Sequence, residues 1–490
     1  MARHPAFPLL LCAALLAAAG PARAAEYHVD SNSLVPGNGD GSAANPWKQL
    51  SFATGLAAGD VVNVRSGTYD PFAITNLSGA AGNPITFRVL PGHTATINGG
   101  LNDGGNRDGI RIRDSSHLVI EGFSLVGTSD PATSRAGISV QSSALGSRLG
   151  NGQVSGNHTD VVLRNNTVGS YGKWGVFTAY VNDLRVEGNS LSGTRDEHGL
   201  YISNASTGHV VRSNTVFNNA KSGIQLNGDF AFGGGGIISN SVVENNVVFG
   251  NGGGSPGFSG GGGALNNEGV QDSVFRNNVL FDNHASGIVL WIGQNGAPDA
   301  NSSNNNLVVN NTVIQAADGR AAMNIDQGFG NTLLNNIFFH PGPVNFKDAI
   351  QITTTTTGTV SDFNLVSGNL ELAGTDRTFA QWQALTGGDA DSGVLTLADV
   401  MGGMFADYGN NDFRLTSLLN NPAVDTGAAG LNGWTAAMFD HLGAARPFGA
   451  GFDIGAFELA PVPEPAAWLL LAGAVVVAVR LRTRGKTRAE

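Results

Sequence analysis

Acidic, basic and imidazole side chains lie close together in one part of a chain that is otherwise poor in charge. Asp196, Glu197 and His198 are consecutive, and Lys221 and Glu268 follow. A histidine titrates near neutral pH and a flanking carboxylate can orient it, so His198 is a candidate general acid or base. We predict a proton-transfer site formed by these five residues. For each of them, a purely structural role in a turn is the alternative.

Aromatic and amide side chains accompany this group. The set comprises Lys173, Trp174, Tyr201, Gln225, Asn227, Asn266, His284 and Trp291. Aromatic rings stack on the apolar faces of sugars, and polar groups bind sugar hydroxyls. We therefore predict that these residues bind a sugar chain, with loop packing as the alternative for the aromatic ones.

Three functions are compatible with these residues. In a lyase, Lys221 or His198 would remove the proton next to a uronate carboxylate, while a calcium ion held by Asp196, Glu197 or Glu268 offsets the developing charge. A hydrolase needs two carboxylates, roughly 5–5.5 Å or 6.5–9.5 Å apart. A surface or matrix protein would bind the polysaccharide without cleaving it. No zinc motif, phosphate-binding loop or serine nucleophile motif occurs in the sequence.

The elements that position these residues come from a repeat between residues 109 and 366. Two short apolar strands, separated by a polar turn, recur with an Asn-Asn pair or a close substitute. The second residue of the pair stands at positions 166, 189, 214, 246, 278, 311 and 336. Such spacing, between 23 and 33 residues, is typical of a solenoid.

The first of these two strands follows a glycine and alternates apolar and variable residues. These strands begin at Gly109, Gly137, Gly175, Gly199, Gly223 and Gly287. Repeats this short leave no room for crossover helices, which excludes α/β folds. The sequence therefore predicts an all-β, single-stranded parallel β-helix, a solenoid with N- and C-terminal caps. Residues 51–58, a short amphipathic segment, are predicted to cover its first coil.

Successive coils of a parallel β-helix stack about 4.8 Å apart, so equivalent residues form rows along the axis. The asparagines are predicted to form a structural ladder. On the outer face, one predicted row contains Phe177, Tyr201, Gln225, Asn266 and Val289, and the next contains Ala179, Ser203, Asn227, Glu268 and Trp291. Loops at 142–160, 229–237, 250–262 and 295–306 are predicted to form the sides of a groove.

The two ends of the body resemble a known family. The segments Gly59-Asp-Val-Val-Asn-Val-Arg-Ser-Gly-Thr-Tyr69 and Arg446-Pro-Phe-Gly-Ala-Gly-Phe-Asp-Ile-Gly-Ala-Phe-Glu458 resemble the opening and closing segments of exported bacterial right-handed parallel β-helix proteins of the pectate-lyase-like superfamily. The resemblance implies a right-handed solenoid that acts on polysaccharide. The Glu-rich, Lys-containing motif of calcium-dependent alginate and chondroitin lyases is not intact here, which disfavours the lyase.

The chain termini carry predicted targeting signals. Residues 1–24 have a basic start, an apolar stretch and Ala22-Arg-Ala24, the pattern of a secretory signal peptide. Residues 461–490 resemble the PEP-CTERM tail of Gram-negative bacteria, with Pro463-Glu-Pro465, a short hydrophobic helix and a basic end. This resemblance implies processing by signal peptidase and an exosortase, and an envelope or extracellular location. A plain C-terminal membrane anchor is the alternative.

These signals complete the predicted domain organisation and restrict the partners. We expect an N-terminal cap with the first coils at 25–100, β-helix repeats at 101–370 and a C-terminal coil and cap region at 371–460. The net charge is −11, and the basic termini leave −17 for residues 25–479. Such a body repels nucleic acid and anionic membranes, so membrane contact is expected only through the tail. The single cysteine, Cys12, lies in the leader, which excludes a disulfide in the mature chain.

Overall fold

The computed structural model describes residues 24–104, 106–143, 155–255, 260–298, 300–342, 347–353 and 358–459. Apart from Ala24, the predicted signal peptide lies outside these ranges, as does the whole predicted sorting tail, 461–490. Within the described ranges, no helix is both long enough and apolar enough to span a membrane.

Three sheets of twelve strands each run the length of the molecule, and each coil between the two ends contributes one strand to each sheet. Sheet 1 contains Glu26–Val29, Val61–Val64, Ile85–Val89, Leu118–Glu121, Val161–Arg164, Arg185–Glu187, Val210–Arg212, Val242–Glu244, Val274–Arg276, Leu307–Val309, Thr332–Leu334 and Val360–Asp362. Sheet 2 contains Gly67–Tyr69, Ala95–Asn98, Ser124–Val126, Thr167–Gly169, Ser190–Ser192, Thr215–Phe217, Val247–Phe249, Val279–Phe281, Thr312–Ile314, Ile337–Phe339, Leu365–Ser367 and Gly393–Leu395. Sheet 3 contains Phe72–Thr75, Ile110–Arg113, Ala136–Gln141, Trp174–Ala179, Leu200–Ser203, Ile224–Asn227, Gly263–Glu268, Ser286–Trp291, Met323–Ile325, Ile350–Ile352, Leu370–Leu372 and Thr375–Arg377.

Parallel pairing between successive coils confirms the predicted parallel β-helix. The exception in these sheets is Thr375–Arg377, which pairs antiparallel with Leu370–Leu372 at the end of sheet 3. Alternating side chains place several aliphatic residues of each coil in the core, and equivalent residues of successive coils stack into continuous ladders. In sheet 3 the ladder consists of Ile110, Ile138, Val176, Leu200, Ile224, Leu265, Ile288, Met323, Ile350 and Leu370, all buried.

The bend between sheets 1 and 2 contains the predicted asparagine ladder. In the Asn277-Asn278 pair, Asn277 adopts a φ of 54°, a left-handed conformation that asparagine tolerates better than most residues. The Asn278 amide then donates to Asn311 Oδ1 of the next coil at 2.9 Å and accepts from the Asn246 amide at 2.9 Å. Equivalent bonds connect all seven predicted asparagines and continue to Asn364. The ladder is structural, as predicted.

Glycine directly before the sheet 3 strands permits close approach between coils. A Cβ on Gly199 would lie 2.4 Å from Val216 Cγ1 and 2.8 Å from the carbonyl oxygen of Gly223. Any larger residue would therefore separate neighbouring coils at the entry to sheet 3.

Caps close both ends of the solenoid. At the N-terminal end, residues 51–58 do not form an extended helix: the 3-10 turn Leu50–Phe52 is followed by irregular chain, although Leu50 and Leu56 are buried, as a cap requires. At the C-terminal end, the α-helix Phe379–Thr386 buries Trp382 against the last coils.

The chain beyond this helix packs on the outer face of sheet 2, where Phe405, Phe413 and Phe457 join Ile337 and Phe339 in one apolar cluster. Its elements are Leu397–Asp399, Val400–Met404, Tyr408–Asn410 and the hairpins Phe405–Asp407 with Asp412–Leu415 and Gly430–Leu431 with Trp434–Thr435. Short strands and 3-10 turns in the loops are His158–Thr159, Val181–Asn182, Ser206–Thr207, Ile238–Ser239, Val270–Gln271, Phe230–Phe232 and Gly234–Gly236.

Candidate functional site

The outward side chains of sheet 3 align in two rows. Tyr201 pairs with Phe177 of the preceding coil and with Gln225 of the following coil, and this row continues through Asn266 and Val289. The second row contains Ala179, Ser203, Asn227, Glu268 and Trp291. Both rows have the predicted register, because the strands repeat without a bulge. Sheet 3 therefore brings residues that are far apart in the sequence onto one surface.

Three aromatic rings form a cluster on this surface. Trp174 stacks on Phe177 with ring centroids 4.5 Å apart and an interplanar angle of 20°. Tyr201 contacts both rings, at 6.0 Å from Trp174 and 5.6 Å from Phe177. Two successive coils thus supply a continuous aromatic surface, which we call the aromatic cluster.

A cleft of about 560 Å³ opens beside the aromatic cluster. Its lining comprises Arg113, Gln141, Ser142, Ser143, Trp174, Phe177, Ala179, Tyr180, Tyr201, Ser203, Asn204, Asp229, Phe232 and Gln294. Asp229 and Phe232 come from the 229–237 loop, which confirms that this loop forms one side of the groove. The cleft combines aromatic faces with amides, hydroxyls, a carboxylate and a guanidinium group.

Glu268 lies next to the cleft in a network of amides. Its Oε1 accepts hydrogen bonds from Asn266 at 3.0 Å and Gln225 at 3.4 Å. With the Asn227 amide oriented to satisfy its neighbours, the amide nitrogen donates to Glu268 Oε2 at 3.3 Å and its oxygen accepts from the Tyr201 hydroxyl at 2.8 Å. One hydrogen-bonded path therefore joins Glu268 to the aromatic cluster.

This environment shifts the pKa of both ends of the path. Burial, with the negative charge of Asp229 adding to it, raises the pKa of Glu268 above its usual range. Burial also raises the pKa of Tyr201 to about 12, so its hydroxyl keeps its proton at physiological pH. Glu268 thus holds its proton to higher pH than an exposed glutamate does.

His198 does not behave as its sequence context predicts. Its Nδ1 accepts a hydrogen bond from the Ser222 backbone N–H at 3.1 Å, which leaves the proton of the neutral ring on Nε2, 3.3 Å from Glu197 Oε2. Burial, together with the positive charge of Lys221, lowers the pKa of His198 to about 3. The expectation that His198 titrates near neutrality is therefore wrong, because the side chain is enclosed between coils.

The remaining acid and base candidates are paired with charged neighbours. Lys221 Nζ lies 3.2 Å from Glu197 Oε2, so these two residues and His198 form one group. Asp196 instead accepts from Arg195 Nε at 2.8 Å. None of these residues is among those that line the cleft. Of the five predicted catalytic residues, the structure thus brings three into contact with each other and places Glu268 in a different network.

The outlying binding candidates occupy separate places. Lys173 Nζ lies 5.4 Å from the Trp174 ring, at the edge of the aromatic cluster. Trp291 Nε1 donates to Asn324 Oδ1 at 3.2 Å, one coil beyond Glu268 along sheet 3. His284 pairs with Asp318 at 2.8 Å, in the turn before the strand that contains Trp291.

Several cleft residues were missed as site candidates: Arg113, Tyr180, Asp229, Phe232 and Gln294. Arg113 lies at the end of a sheet 3 strand and Gln294 just beyond one. At these positions the repeat pattern does not distinguish a cleft residue from any other polar residue. Asp229 and Phe232 belong to the 229–237 loop, which is predicted to border the groove. The extra length of this repeat is the feature of the sequence that could have identified them. Phe177 was placed in the correct row without being chosen as a binding residue.

The predicted calcium ligands do not gather around a common point. Asp196 and Glu197 are paired with cationic side chains, and Glu268 is bonded to amides. Across the part of the chain that the structure describes, no group of three or more His, Cys, Asp or Glu side chains could hold a metal ion. These residues do not fit a calcium site, and we assign calcium no step in the chemistry.

Comparisons with known proteins agree with the fold. Residues 93–268 match the family described as "Right handed beta helix region". No curated protein sequence matches the chain.

Among solved structures, pectate lyase Pel9A is similar with a TM-score of 0.57 and 16% identity, covering 88% of this chain and 96% of that one. A rhamnogalacturonan lyase is similar with a TM-score of 0.48 and 14% identity, covering 80% and 97%. The periplasmic alginate epimerase AlgG has a TM-score of 0.37 and 14% identity, covering 69% and 71%. With its three parallel sheets, the chain is therefore a right-handed parallel β-helix protein that shares its fold with pectate lyase Pel9A.

Proposed function

We propose that the protein binds an extracellular polysaccharide in the cleft beside the aromatic cluster and cleaves it by hydrolysis. The observation that carries this proposal is the connection between Glu268, a partly buried carboxyl group with a raised pKa, and Tyr201 of the aromatic cluster. A proton donor and a sugar-stacking surface thus lie within one hydrogen-bonded network.

The composition of the cleft suits a sugar chain. Pyranose rings present apolar C–H faces that stack on aromatic rings, and Trp174, Phe177 and Tyr201 offer such a surface over two coils. Gln141, Asn204 and Gln294 line the same cleft and can bind hydroxyl groups. Because coils and sugar units both repeat at about 5 Å, a chain lying along the solenoid axis meets equivalent positions in successive coils.

Glu268 and Asp229 are the carboxyl groups that a hydrolase requires. Glu268 is not among the residues that line the cleft, so the proposed reaction requires the sugar chain to extend past Tyr201 to Glu268. There Glu268 donates its proton to the glycosidic oxygen as the bond to the anomeric carbon breaks. Water adds to that carbon, and the Asp229 carboxylate takes up the proton that the water loses. Asp229 lines the cleft, and its charge contributes to the raised pKa of Glu268.

Two other activities that the sequence left open receive less support. A lyase would need Lys221 or His198 as its base, but Lys221 is paired with Glu197 and the His198 ring accepts from Ser222. Binding without cleavage is the second candidate, favoured by the pairing of these residues outside the cleft lining. In this second candidate, neither Glu268 nor Asp229 takes part in a reaction.

Product analysis separates the three activities. Purified protein is incubated with neutral and uronic polysaccharides, with and without calcium. New reducing ends without a rise in ultraviolet absorbance support hydrolysis, and a rise in ultraviolet absorbance supports a lyase. Retention of the protein on the polysaccharide without any products supports binding alone.

Glu268→Gln should abolish the products while the protein is still retained on the polysaccharide. Glutamine has the size of glutamate but no acidic proton, and the Asn227 amide can turn so that its oxygen accepts from the new side-chain N–H and its nitrogen donates to Tyr201. Glu121→Gln is the matched control, since Glu121 lies on sheet 1 and pairs with Arg164 there. Unchanged product formation by Glu268→Gln would refute the assignment of Glu268.

We also propose that the protein acts outside the cytoplasm. The support is the leader pattern of residues 1–24 and the PEP-CTERM-like tail of residues 461–490, which predict a signal peptidase and an exosortase as processing partners. Intact mass and N-terminal sequence of the native protein test both cuts. A chain that retains Met1 and is found in the cytoplasm would contradict the proposal.

A further inference from the structure

We infer that Arg135, held by buried Asp108, is a positioning residue that fixes the aromatic cluster for its ligand. Arg135 Nε and Nη2 each donate to Asp108 at 2.8 Å, one bond to each carboxylate oxygen. The Ser139 hydroxyl donates to the same carboxylate at 2.6 Å. The inference rests on the proposed function in one respect: that the ligand is a sugar chain.

The Asp108 side chain is fully buried, and Arg135 is its cationic partner. Moving the guanidinium group away would leave a carboxylate uncompensated inside the protein, which is strongly unfavourable. The planar two-bond geometry also fixes the orientation of the guanidinium group, in a way that a lysine ammonium cannot reproduce. Arg135 is thus more rigidly held than a surface arginine.

The guanidinium group in turn contacts two rings of the aromatic cluster. Its Cζ lies 5.3 Å from the Trp174 ring centroid and 5.5 Å from that of Phe177. Among the residues that the structure describes, the buried indole N–H of Trp174 has no hydrogen-bond partner. Stacking on Phe177 and the contact with Arg135 therefore determine how this ring is oriented.

Arg135 is not among the residues that line the cleft. It acts on a ligand through Trp174 and Phe177 rather than by touching the ligand. A flat, fixed aromatic surface loses less side-chain entropy on binding, so Arg135 should increase affinity through pre-organisation.

The first experiment examines the protein without ligand. The chain is labelled with 5-fluorotryptophan, and its six tryptophans are observed by ¹⁹F NMR, with Trp174→Phe assigning the Trp174 signal. Arg135→Lys should shift or broaden that signal, whereas the control Arg164→Lys, at another inter-coil arginine–carboxylate pair, should not. An unchanged Trp174 signal in Arg135→Lys would refute the inference, whatever the protein binds.

The second experiment is a double-mutant cycle of affinity, measured by isothermal titration with hexasaccharides of cellulose, xylan and polygalacturonate. Arg135→Lys should weaken binding of the best probe about tenfold, but should weaken it much less in a Trp174→Ala background, where Arg135 can act only through Phe177. Equal weakening in both backgrounds would mean that Arg135 does not act through Trp174 and would overturn the inference.

If no probe binds the unmodified protein, the proposed function fails for these sugars, while the NMR result still decides the positioning role. If Arg135→Lys does not fold, the double variant Asp108→Asn/Arg135→Gln replaces the ion pair by an uncharged amide pair and allows the same comparisons.

Discussion

Acidification should destabilise the protein through His198. In the folded state its pKa is about 3, against 6.5 in the unfolded chain. Between these values the unfolded state binds the proton and the folded state does not, so stability is fully present above pH 6.5 and is lost as the pH falls towards 3. At 1.36 kcal/mol per pH unit, lowering the pH from 6.5 to 4 removes on the order of 3 kcal/mol.

A single substitution isolates this contribution. In His198→Asn the side-chain oxygen can replace Nδ1 as the acceptor for the Ser222 N–H, but the residue no longer titrates. Urea unfolding of both proteins at pH 7 and pH 4 gives the four free energies needed. His198→Asn should lose on the order of 3 kcal/mol less than the unmodified protein over this interval.

The comparison removes the effect of other groups. Burial also lowers the pKa of His209 to about 3, but His209 is present in both proteins, so its contribution cancels. The argument would be refuted if the free energy of unfolding fell equally in the two proteins between pH 7 and pH 4. It would also be refuted by an NMR titration of the unmodified protein that places the pKa of His198 above 5. Such a result would also restore His198 as a candidate base near neutrality.

Three further predictions concern the network, the ladder and the cleft. Because the charge of Asp229 helps to raise the pKa of Glu268, Asp229→Asn should move the high-pH limb of the pH–rate profile to lower pH, measured on residual activity. Asn278→Ala should lower the free energy of unfolding in urea by about 3 kcal/mol or more, because it removes hydrogen bonds to both neighbouring coils and leaves buried partners unpaired. The control Asn98→Ala, at an exposed position, should lower it by less than about 0.5 kcal/mol. Arg113→Gln should weaken binding of polygalacturonate more than binding of xylan in titration calorimetry, because a guanidinium group in the cleft favours a carboxylate-bearing sugar.

The sequence was sufficient to predict the fold because each coil obeys the same local rules. An apolar residue recurs at most inward positions, with Thr178 and Asn267 as exceptions in sheet 3, and asparagine recurs at the bend where a left-handed residue is needed. Register then follows from counting residues along each repeat, which is why Tyr201 and Gln225 were correctly placed side by side. The cap was less predictable, because residues 51–58 lie outside the repeat: Ala53 and Leu56 are buried in irregular chain, whereas Phe52 is exposed.

The candidate site was only partly predictable, because burial and pairing depend on packing between coils. His198 stands next to Glu197 in the sequence, which suggested a titratable pair. The structure adds the Ser222 N–H of the next coil and nearly complete burial, and these change the protonation of the ring. Nothing in the local sequence indicates that Asp108 and Arg135 meet, since their contact depends on the loops between two coils.

The arrangement also explains why fold and activity separate in this molecule. Inward side chains and the asparagine ladder carry the stability of the solenoid, whereas the outer rows of sheet 3 contribute little to the core. Residues such as Phe177, Tyr201 and Glu268 can therefore vary without changing the register that aligns them. A shared β-helix fold consequently leaves the reaction undetermined, and the assignment must be argued from the outer side chains of a few coils. Here those side chains are the aromatic cluster and the Glu268 network, so substitutions there should alter ligand or activity while the register of the coils is kept.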